Sequence, residues 1–474
     1  MAEIIGRTKE IAQFKELVNS KQSEFVAVYG RRRVGKTFLI RECFQNQFQF
    51  QLTGLAQADL RSQLQNFHAA INKYKIGSKE LPKVTSWFDA FQQLIGMLEK
   101  SQAKKKVIFL DELPWLDTPK SGFIAALEHF WNSWASARKD ILLIVCGSAA
   151  SWILNKLINN KGGLHNRVSF KMKIYPFTLA ECKTYYKAKG VKWNDYQIIE
   201  NYMVMGGIPF YMNAVLKNKS SSQNINSLCF SEDGLLNDEF RNLYASLFAK
   251  SDNHIAIAEA LSKKAKGLSR EEIIQFAKLP NGGGTSKVLE ELELSGFIRK
   301  YVPYGKKVKD SLYQLIDFYT LFYFKFLSKN KYDIYNQWLN ILDTPAHRNW
   351  AGYAFELICL THLPQIKTAL GISGIQSKAA SWRSTKSENG AQIDLLIERR
   401  DQVINLCEMK FSINEFSIDK TYANNLRNKI STFKSESQTK NAVHLCLISS
   451  YGIKANSYSD ELVQNSFDMS ILFS

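Results

Sequence analysis

The sequence predicts an α/β multidomain protein, and three observations lead there. Through residues 1–170, short apolar runs alternate with stretches of helical spacing, the pattern of parallel strands joined by crossover helices. A glycine-rich loop, GRRRVGKT (residues 30–37), stands between the apolar run FVAVY and Phe38-Leu39-Ile40. Beyond residue 345 the strand–helix alternation returns after a long helical middle. At about 150 residues per domain, 474 residues hold about three domains. With 45% hydrophobic and 22% charged residues, core material is ample.

Taken in order, FVAVYG, KKVIFLDE and ILLIVCGS read as buried strands. SWFDAFQQLIGMLEK and FIAALEHFWNSWASA lie between them as amphipathic helices. Residues 171–235 turn helical and end in the polar stretch LKNKSSSQNINS. Residues 236–330 form a small unit. In it, GLSREEIIQFA starts a helix at the N-cap Ser269 with Glu272 three residues on. NGGGTSKVLEELELSGF is a turn and a helix, and IRKYVPYGKKVKDSLYQL is two strands about a turn. The aromatic-rich LYQLIDFYTLFYFKFL carries Asp317 and Lys325 and is expected to be core. In residues 331–474, the helix WAGYAFELICLTHL precedes strands AQIDLLIER, QVINLCEMKF and AVHLCLISS.

A net charge of +18 favours a polyanionic partner, nucleic acid above all, against the plainer reading of a merely basic protein. The seven cysteines are scattered with no CxxC pair, and the seven histidines have no ligand spacing, so neither a disulfide framework nor a zinc site is expected. No stretch reaches the length of a membrane span, and the start, MAEIIGRTKE, lacks an apolar signal region. A cytoplasmic protein without membrane contact is therefore expected.

The loop carries the first chemistry. Gly30, Gly35, Lys36 and Thr37 satisfy G-x-x-x-x-G-K-[ST], with a strand before and a helix after. Such glycines let backbone N–H groups face phosphate oxygens, and the helix start adds its positive dipole end. Lys36 is expected on the β- and γ-phosphates of ATP and Thr37 on Mg²⁺; Arg31, Arg32, Arg33, Val34 and Phe38 are further nucleotide-binding candidates, although the motif does not require the arginines, whose alternative is to be solvated or to contact a neighbour. Asp111, at the end of VIFLDE, places a carboxylate where Mg²⁺ needs a direct or water-mediated partner, and Glu112 can polarise the attacking water. Ser148, at the end of ILLIVCGS, can sense the γ-phosphate.

This order of parts resembles the AAA+ and STAND branch of P-loop ATPases. IIGRTKEIAQF resembles that branch's N-terminal box near the adenine, which implies roles for Ile5, Gly6 and Arg7. GGIPFY resembles the element of the helical lid whose proline packs on the base, here Pro209. GGLHNRVSFKMKIYPFTLAE resembles the segment in which an arginine precedes a strand. Arg167 is then the candidate γ-phosphate arginine, in cis or across a subunit boundary of a homo-oligomer. The whole set is similar to the prokaryotic archaeal-type ATPases, in which a core (1–170) and lid (171–235) precede a winged helix (236–330) and a C-terminal domain (331–474). The motifs are dense over 1–215 and few beyond 345.

The C-terminal segment carries the second chemistry. Glu408 and Lys410, in the form E-x-K, point to one face of a strand shared with Ile404 and Leu406. Charges set in an apolar face are costly unless paired or metal-bound. Asp394 on the preceding strand and Glu356 on a helix complete an oxygen-rich set, with Asp394 and Glu408 as candidate Mg²⁺ ligands and Lys410 beside the attacking water. The pattern resembles the PD-(D/E)xK (restriction-endonuclease-like) nuclease superfamily, with Gln392-Ile393 where the name has proline. A purely structural salt bridge to Lys410 is the alternative.

The function expected is an ATP-hydrolysing switch, or weak motor, that acts on nucleic acid, with the C-terminal domain as its ATP-gated, Mg²⁺-dependent DNA nuclease, suited to defence against foreign DNA. A regulatory scaffold that binds DNA or a protein partner is the alternative, and a sequence-specific winged-helix regulator a third. In the winged helix, Thr285, Ser286 and Lys287 open the recognition helix. Arg299, Lys300, Lys306, Lys307 and Lys309, with Tyr301 and Tyr304, flank the wing, as phosphate contacts would require.

Overall fold

The computed structural model describes residues 4–474 apart from 76, 79, 160–161, 249, 329–336 and 385–389. The chain divides into two compact units, Met1–Pro176 and Phe177–Ser474.

The first unit is built on a parallel sheet of β1 (Glu24–Gly30), β2 (Phe50–Thr53), β3 (Lys106–Asp111), β4 (Ile141–Gly147) and β5 (Phe170–Ile174), in the order β2-β3-β4-β1-β5. Every residue of β3 and β4 is buried, which is why these strands read as unbroken apolar runs. One face packs on helices Leu60–Tyr74, Trp87–Glu99 and Phe123–Ser133 through Phe67, Trp87, Phe91, Leu94 and Phe130. Asp59 and Ser86 cap the first two, each accepting a backbone N–H of the opening turn. The unit runs past residue 170 because β5 pairs with β1, from Val26 opposite Phe170 to Gly30 opposite Ile174.

The second unit holds the helical segments and a mixed sheet. Helices Asp252–Ser262, Arg270–Ala277 and Gly283–Leu294 lead into an antiparallel hairpin, β6 (Ile298–Tyr301) with β7 (Leu312–Leu315). The capping box expected at Ser269 and Glu272 is present. The hairpin's connection docks on the sheet: the Tyr304 N–H donates to Ser381 O at 2.8 Å, its hydroxyl to Glu398 at 3.2 Å, and its ring packs on Phe433. Arg299 likewise turns inward, donating to Gln314 at 2.7 Å, rather than outward to a phosphate.

The mixed sheet has the order β12-β11-β10-β9-β8, from β8 (Ser377–Arg383), β9 (Gln392–Arg399), β10 (Val403–Lys410), β11 (Ala442–Ser449) and β12 (Asn465–Phe467). β8, β9 and β10 run antiparallel to one another, while β10, β11 and β12 are parallel. Helix Lys420–Ser437 covers one face through Ala423, Leu426 and Phe433, against Ile404, Leu406 and Leu396. No described helix is long and apolar enough to cross a membrane.

His362 pins this unit internally. Its Nε2 accepts the Leu179 N–H at 3.0 Å and its Nδ1 donates to Ile358 O at 2.9 Å, so the fold holds it neutral. Burial pushes its pKa down to about 4 from 6.5; burial also lowers His347. Below pH 6.5 the unfolded chain takes up a proton that the folded chain refuses. Stability therefore falls as pH drops from 6.5 toward 4, by on the order of 3 kcal/mol for His362 at about 1.4 kcal/mol per pK unit. Urea unfolding across that range is expected to show a steep slope for the parent and a flatter one for His362→Gln, whose amide oxygen can still accept from Leu179.

Candidate functional site

The carboxyl ends of β1, β3 and β4 bring three sequence motifs together in the first unit. In a parallel sheet such strand ends form the crevice where ligands bind. Gly30 leaves β1 at φ +144°, and a Cβ there would lie 2.2 Å from the carbonyl oxygen of Ile174 on the neighbouring strand, so only glycine fits. Gly35, at φ +87°, turns the chain into helix Lys36–Cys43.

Lys36 is 5% exposed. Its Nζ donates to Gly30 O at 3.0 Å and Arg31 O at 2.9 Å, and lies 3.4 Å from Ser148 Oγ. Burial lowers its pKa, and the acids Glu112 and Asp111 oppose that. Thr37 donates its hydroxyl to Asp111 Oδ2 at 2.9 Å. Asp111 is 3% exposed; burial and the adjacent Glu112 raise its pKa, so the pocket is short of positive charge at this carboxylate. Glu112 sits in the left-handed region (φ 47°), donates its N–H to Asp111 Oδ1, and accepts from both the hydroxyl and the N–H of Ser148, at 2.8 and 3.2 Å. The five side chains named from the three motifs thus form one hydrogen-bonded array.

The N-terminal box reaches the same loop. Arg7 is buried and donates to Val34 O at 3.1 Å, with Gly6 and Arg7 both at positive φ. Arg31 and Val34 are buried, Arg32 and Arg33 half-buried, and Phe38 is exposed. Ile5 is half-buried. Arg167 is exposed ahead of β5. Pro209, in the second unit, opens helix Pro209–Asn213. The residues present fit Mg²⁺, since Thr37 and Asp111 place two hard oxygen donors side by side.

The second constellation lies in the second unit. The antiparallel register pairs Leu406 with Leu396, which brings Glu408, two residues after the one, and Asp394, two residues before the other, to one face. Glu356 comes from helix Pro345–Thr361. Lysines outside E-x-K meet these acids. Lys266 Nζ lies 2.7 Å from Glu356 Oε2 and 2.5 Å from Asp394 Oδ1, and Gln392 donates to the same Asp394 oxygen. Lys429 donates to Glu408 Oε1 at 2.5 Å, and the Tyr422 hydroxyl to Oε2 at 3.1 Å. Lys410 instead lies over the rings of Tyr422 and Phe416, at 4.8 and 5.9 Å. The salt bridge read between Lys410 and these acids is thus replaced by Lys266 and Lys429.

Burial and the neighbouring Asp394 push Glu356 up to about 7, against the pull of Lys266. At Asp394 burial pushes upward, but Lys266 and Gln392 outweigh it and hold the carboxyl below the ordinary range. Among the described residues, no group of three or more His, Cys, Asp and Glu is arranged to hold a metal ion. As folded, this carboxylate set does not fit one.

Lys266 and Lys429 were not anticipated. Lys266 comes from the polar SKKAKG stretch, 90 residues from Glu356 in sequence, and nothing local marks it. Lys429 could have been found: Tyr422, Ala423, Leu426, Ile430 and Phe433 recur at helical spacing, and Lys429 falls on the Tyr422 side, seven residues on.

The Lys429–Glu408 pair has side-chain exposures of 19% and 8%, whereas Arg427–Glu461 has 38% and 55%. Removing one partner of a buried pair strands the other charge and costs about 3–5 kcal/mol, against at most about 1 kcal/mol at the surface. Denaturant unfolding is expected to show Lys429→Met losing about 3 kcal/mol and Glu461→Gln almost nothing. Equal small losses would mean that Glu408 is not held by Lys429.

Comparison with known proteins agrees with the first unit's geometry. Over 401 residues the chain is 23% identical to an uncharacterised protein of Methanocaldococcus jannaschii, covering 83% of each. The fold is similar to the Walker-type ATPase of Pyrococcus abyssi, at a TM-score of 0.50 and 18% identity, over 68% of this chain and 96% of that one. Residues 4–215 match the family described as an ATPase domain predominantly from Archaea, and the phosphate loop, the Asp111–Glu112 pair and Ser148 all lie within that segment.

Proposed function

We propose that the chain hydrolyses ATP and couples the cycle to work on nucleic acid, DNA in the first instance. In this reading residues 1–170 are the catalytic core, 171–235 a lid, 236–330 a winged helix and 331–474 a nuclease-like domain gated by ATP, in a role such as defence against foreign DNA. The observation that carries the ATPase reading is the array of Lys36, Thr37, Asp111, Glu112 and Ser148 at three adjacent strand ends. The charge of +18 supports the polyanionic partner.

Each member of the array has a task. Residues 30–35 curl the backbone so that its N–H groups face the phosphates, and Lys36 exchanges its two carbonyl partners for phosphate oxygens. Thr37 and Asp111 would hold Mg²⁺, which when bound neutralises charge on the β- and γ-phosphates. Glu112 orients water in line with the γ-phosphorus and takes its proton as the bond to the bridging oxygen breaks. Ser148, which now occupies both Glu112 oxygens, must give up at least one for that role. Ile5, Gly6 and Arg7 near the base, Pro209 against it and Arg167 at the γ-phosphate rest on family resemblance alone.

A second reading, an ATP-controlled scaffold that binds DNA or a protein partner, is favoured by one observation: Glu356, Asp394 and Glu408 are all held by lysines. Hydrolysis and cleavage assays separate the two. Lys36→Ala is expected to abolish ATP hydrolysis, and Glu112→Gln to bind ATP while hydrolysing it on the order of 10²–10⁴-fold more slowly. Plasmid, linear duplex and single-stranded substrates with Mg²⁺ or Mn²⁺ are expected to be cut by the parent, in a manner altered by ATP, and not by Asp394→Ala. Intact hydrolysis with no cleavage under any condition would replace the nuclease with the scaffold.

A further inference from the structure

The Glu356–Asp394 pair already has a cation between its carboxylates, and that cation belongs to the chain. Lys266 Nζ touches one oxygen of each, at 2.7 and 2.5 Å. A hard divalent cation bridging two carboxylates sits in the same position, at 2.0–2.6 Å from its oxygens. Two cations cannot share that space.

The loop that presents Lys266 is fixed from behind. The Tyr301 hydroxyl donates to Lys266 O at 2.5 Å, and Gln314 Nε2 to Ala265 O at 2.7 Å. Gly267 adopts φ +86°, where a Cβ would lie 2.4 Å from Tyr313 O, and Leu268 and Tyr313 exchange backbone hydrogen bonds. The backbone is therefore anchored to the β6–β7 hairpin. The side chain differs: Lys266 is 37% exposed, against 22% for Glu356 and 19% for Asp394. Rotation about its own stem would carry the ammonium into water without a change in the anchored loop, while the more buried carboxylates come from a helix and a strand.

We infer that Lys266 is a built-in counter-cation that closes the Glu356–Asp394 site to divalent metal and must swing out before metal binds. This rests on the reading of Glu356 and Asp394 as a cation-binding pair. It explains why a set of acids that resembles a nuclease site is not arranged for metal in this structure. It also gives the hairpin unit a role that is not DNA reading: it carries the plug.

The test is Mn²⁺ binding to the full chain without nucleotide, in a Thr37→Ala background that removes the phosphate-loop hydroxyl. Lys266→Gln is expected to bind one Mn²⁺ at least 10-fold more tightly than the Lys266 chain. Lys266→Arg is expected to stay weak, and adding Asp394→Asn to Lys266→Gln to remove the gain. Equal, Asp394-dependent affinity with and without Lys266 would overturn the plug and leave the cation site standing. No Asp394-dependent binding in any variant would overturn both. A second measurement needs no change at Lys266. In the Thr37→Ala chain, Mn²⁺ is expected to raise acylation of the Lys266 amine by a water-soluble ester several-fold, read by mass spectrometry. Unchanged labelling at saturating Mn²⁺ would overturn the plug even if the Lys266 variants failed to fold.

Discussion

A charge removed from water must meet its opposite, and much of this chain's chemistry follows from how it meets that demand. Lys36, Lys266 and Lys429 are each drawn toward oxygen acceptors out of bulk solvent. Leaving Lys36 without its partners, or one member of the Lys429–Glu408 pair without the other, would cost several kcal/mol, a large part of a domain's stability. Each lysine is therefore tied to a geometry, and each geometry coincides with a constellation of acids or backbone carbonyls that a ligand could claim instead. Lys36 rests on carbonyls that phosphate oxygens can replace. Lys266 rests on two carboxylates and fills the space between them. The same physics that stabilises the ligand-free fold sets what a ligand has to compete with.

The two units meet the demand differently. In the first, all strands run one way, so three strand ends open on one crevice and the motifs assemble there without long side-chain reach. Left-handed backbone recurs around this crevice, at Arg7 and Arg33 as well as at Glu112, and Gly30 turns at φ +144° against the Ile174 carbonyl. In the second, the mixed sheet offers two acids on one face, and the compensating lysines come from a neighbouring helix and from a loop behind the hairpin. The cost of burying acids in an apolar face is met by distant parts of the chain, which makes the site dependent on tertiary contacts that the sheet alone does not supply.

This difference decides what could be read from the amino acids. The central strands of the first unit were legible because a strand buried on both faces needs an unbroken apolar run. The phosphate loop was legible because its glycines and its lysine are constrained locally. β2 was missed: four residues, FQLT, with alternating burial, carry too little pattern. The acids Asp394 and Glu408 were legible from strand alternation, and so was the apolar face they share with Ile404 and Leu406. Their partners were not. Lys410 is the local candidate by spacing, yet it lies at the strand's end, where aromatic rings of the following segment take it. Lys266 pairs across 90 residues, and no periodicity encodes a contact of that range.

The central claim is that the loop at residues 30–37 holds the phosphates of a nucleotide rather than merely shaping a strand end. Equilibrium competition with a fluorescent ATP analogue tests it most directly, with ATP, ADP, AMP and adenosine as competitors, with and without Mg²⁺. The account predicts that ATP and ADP displace the analogue, that Mg²⁺ tightens ATP, and that AMP and adenosine compete at least 100-fold more weakly, about 2.8 kcal/mol at tenfold per 1.4 kcal/mol. Adenosine competing as well as ATP would contradict it, because the loop would then contribute nothing to the binding.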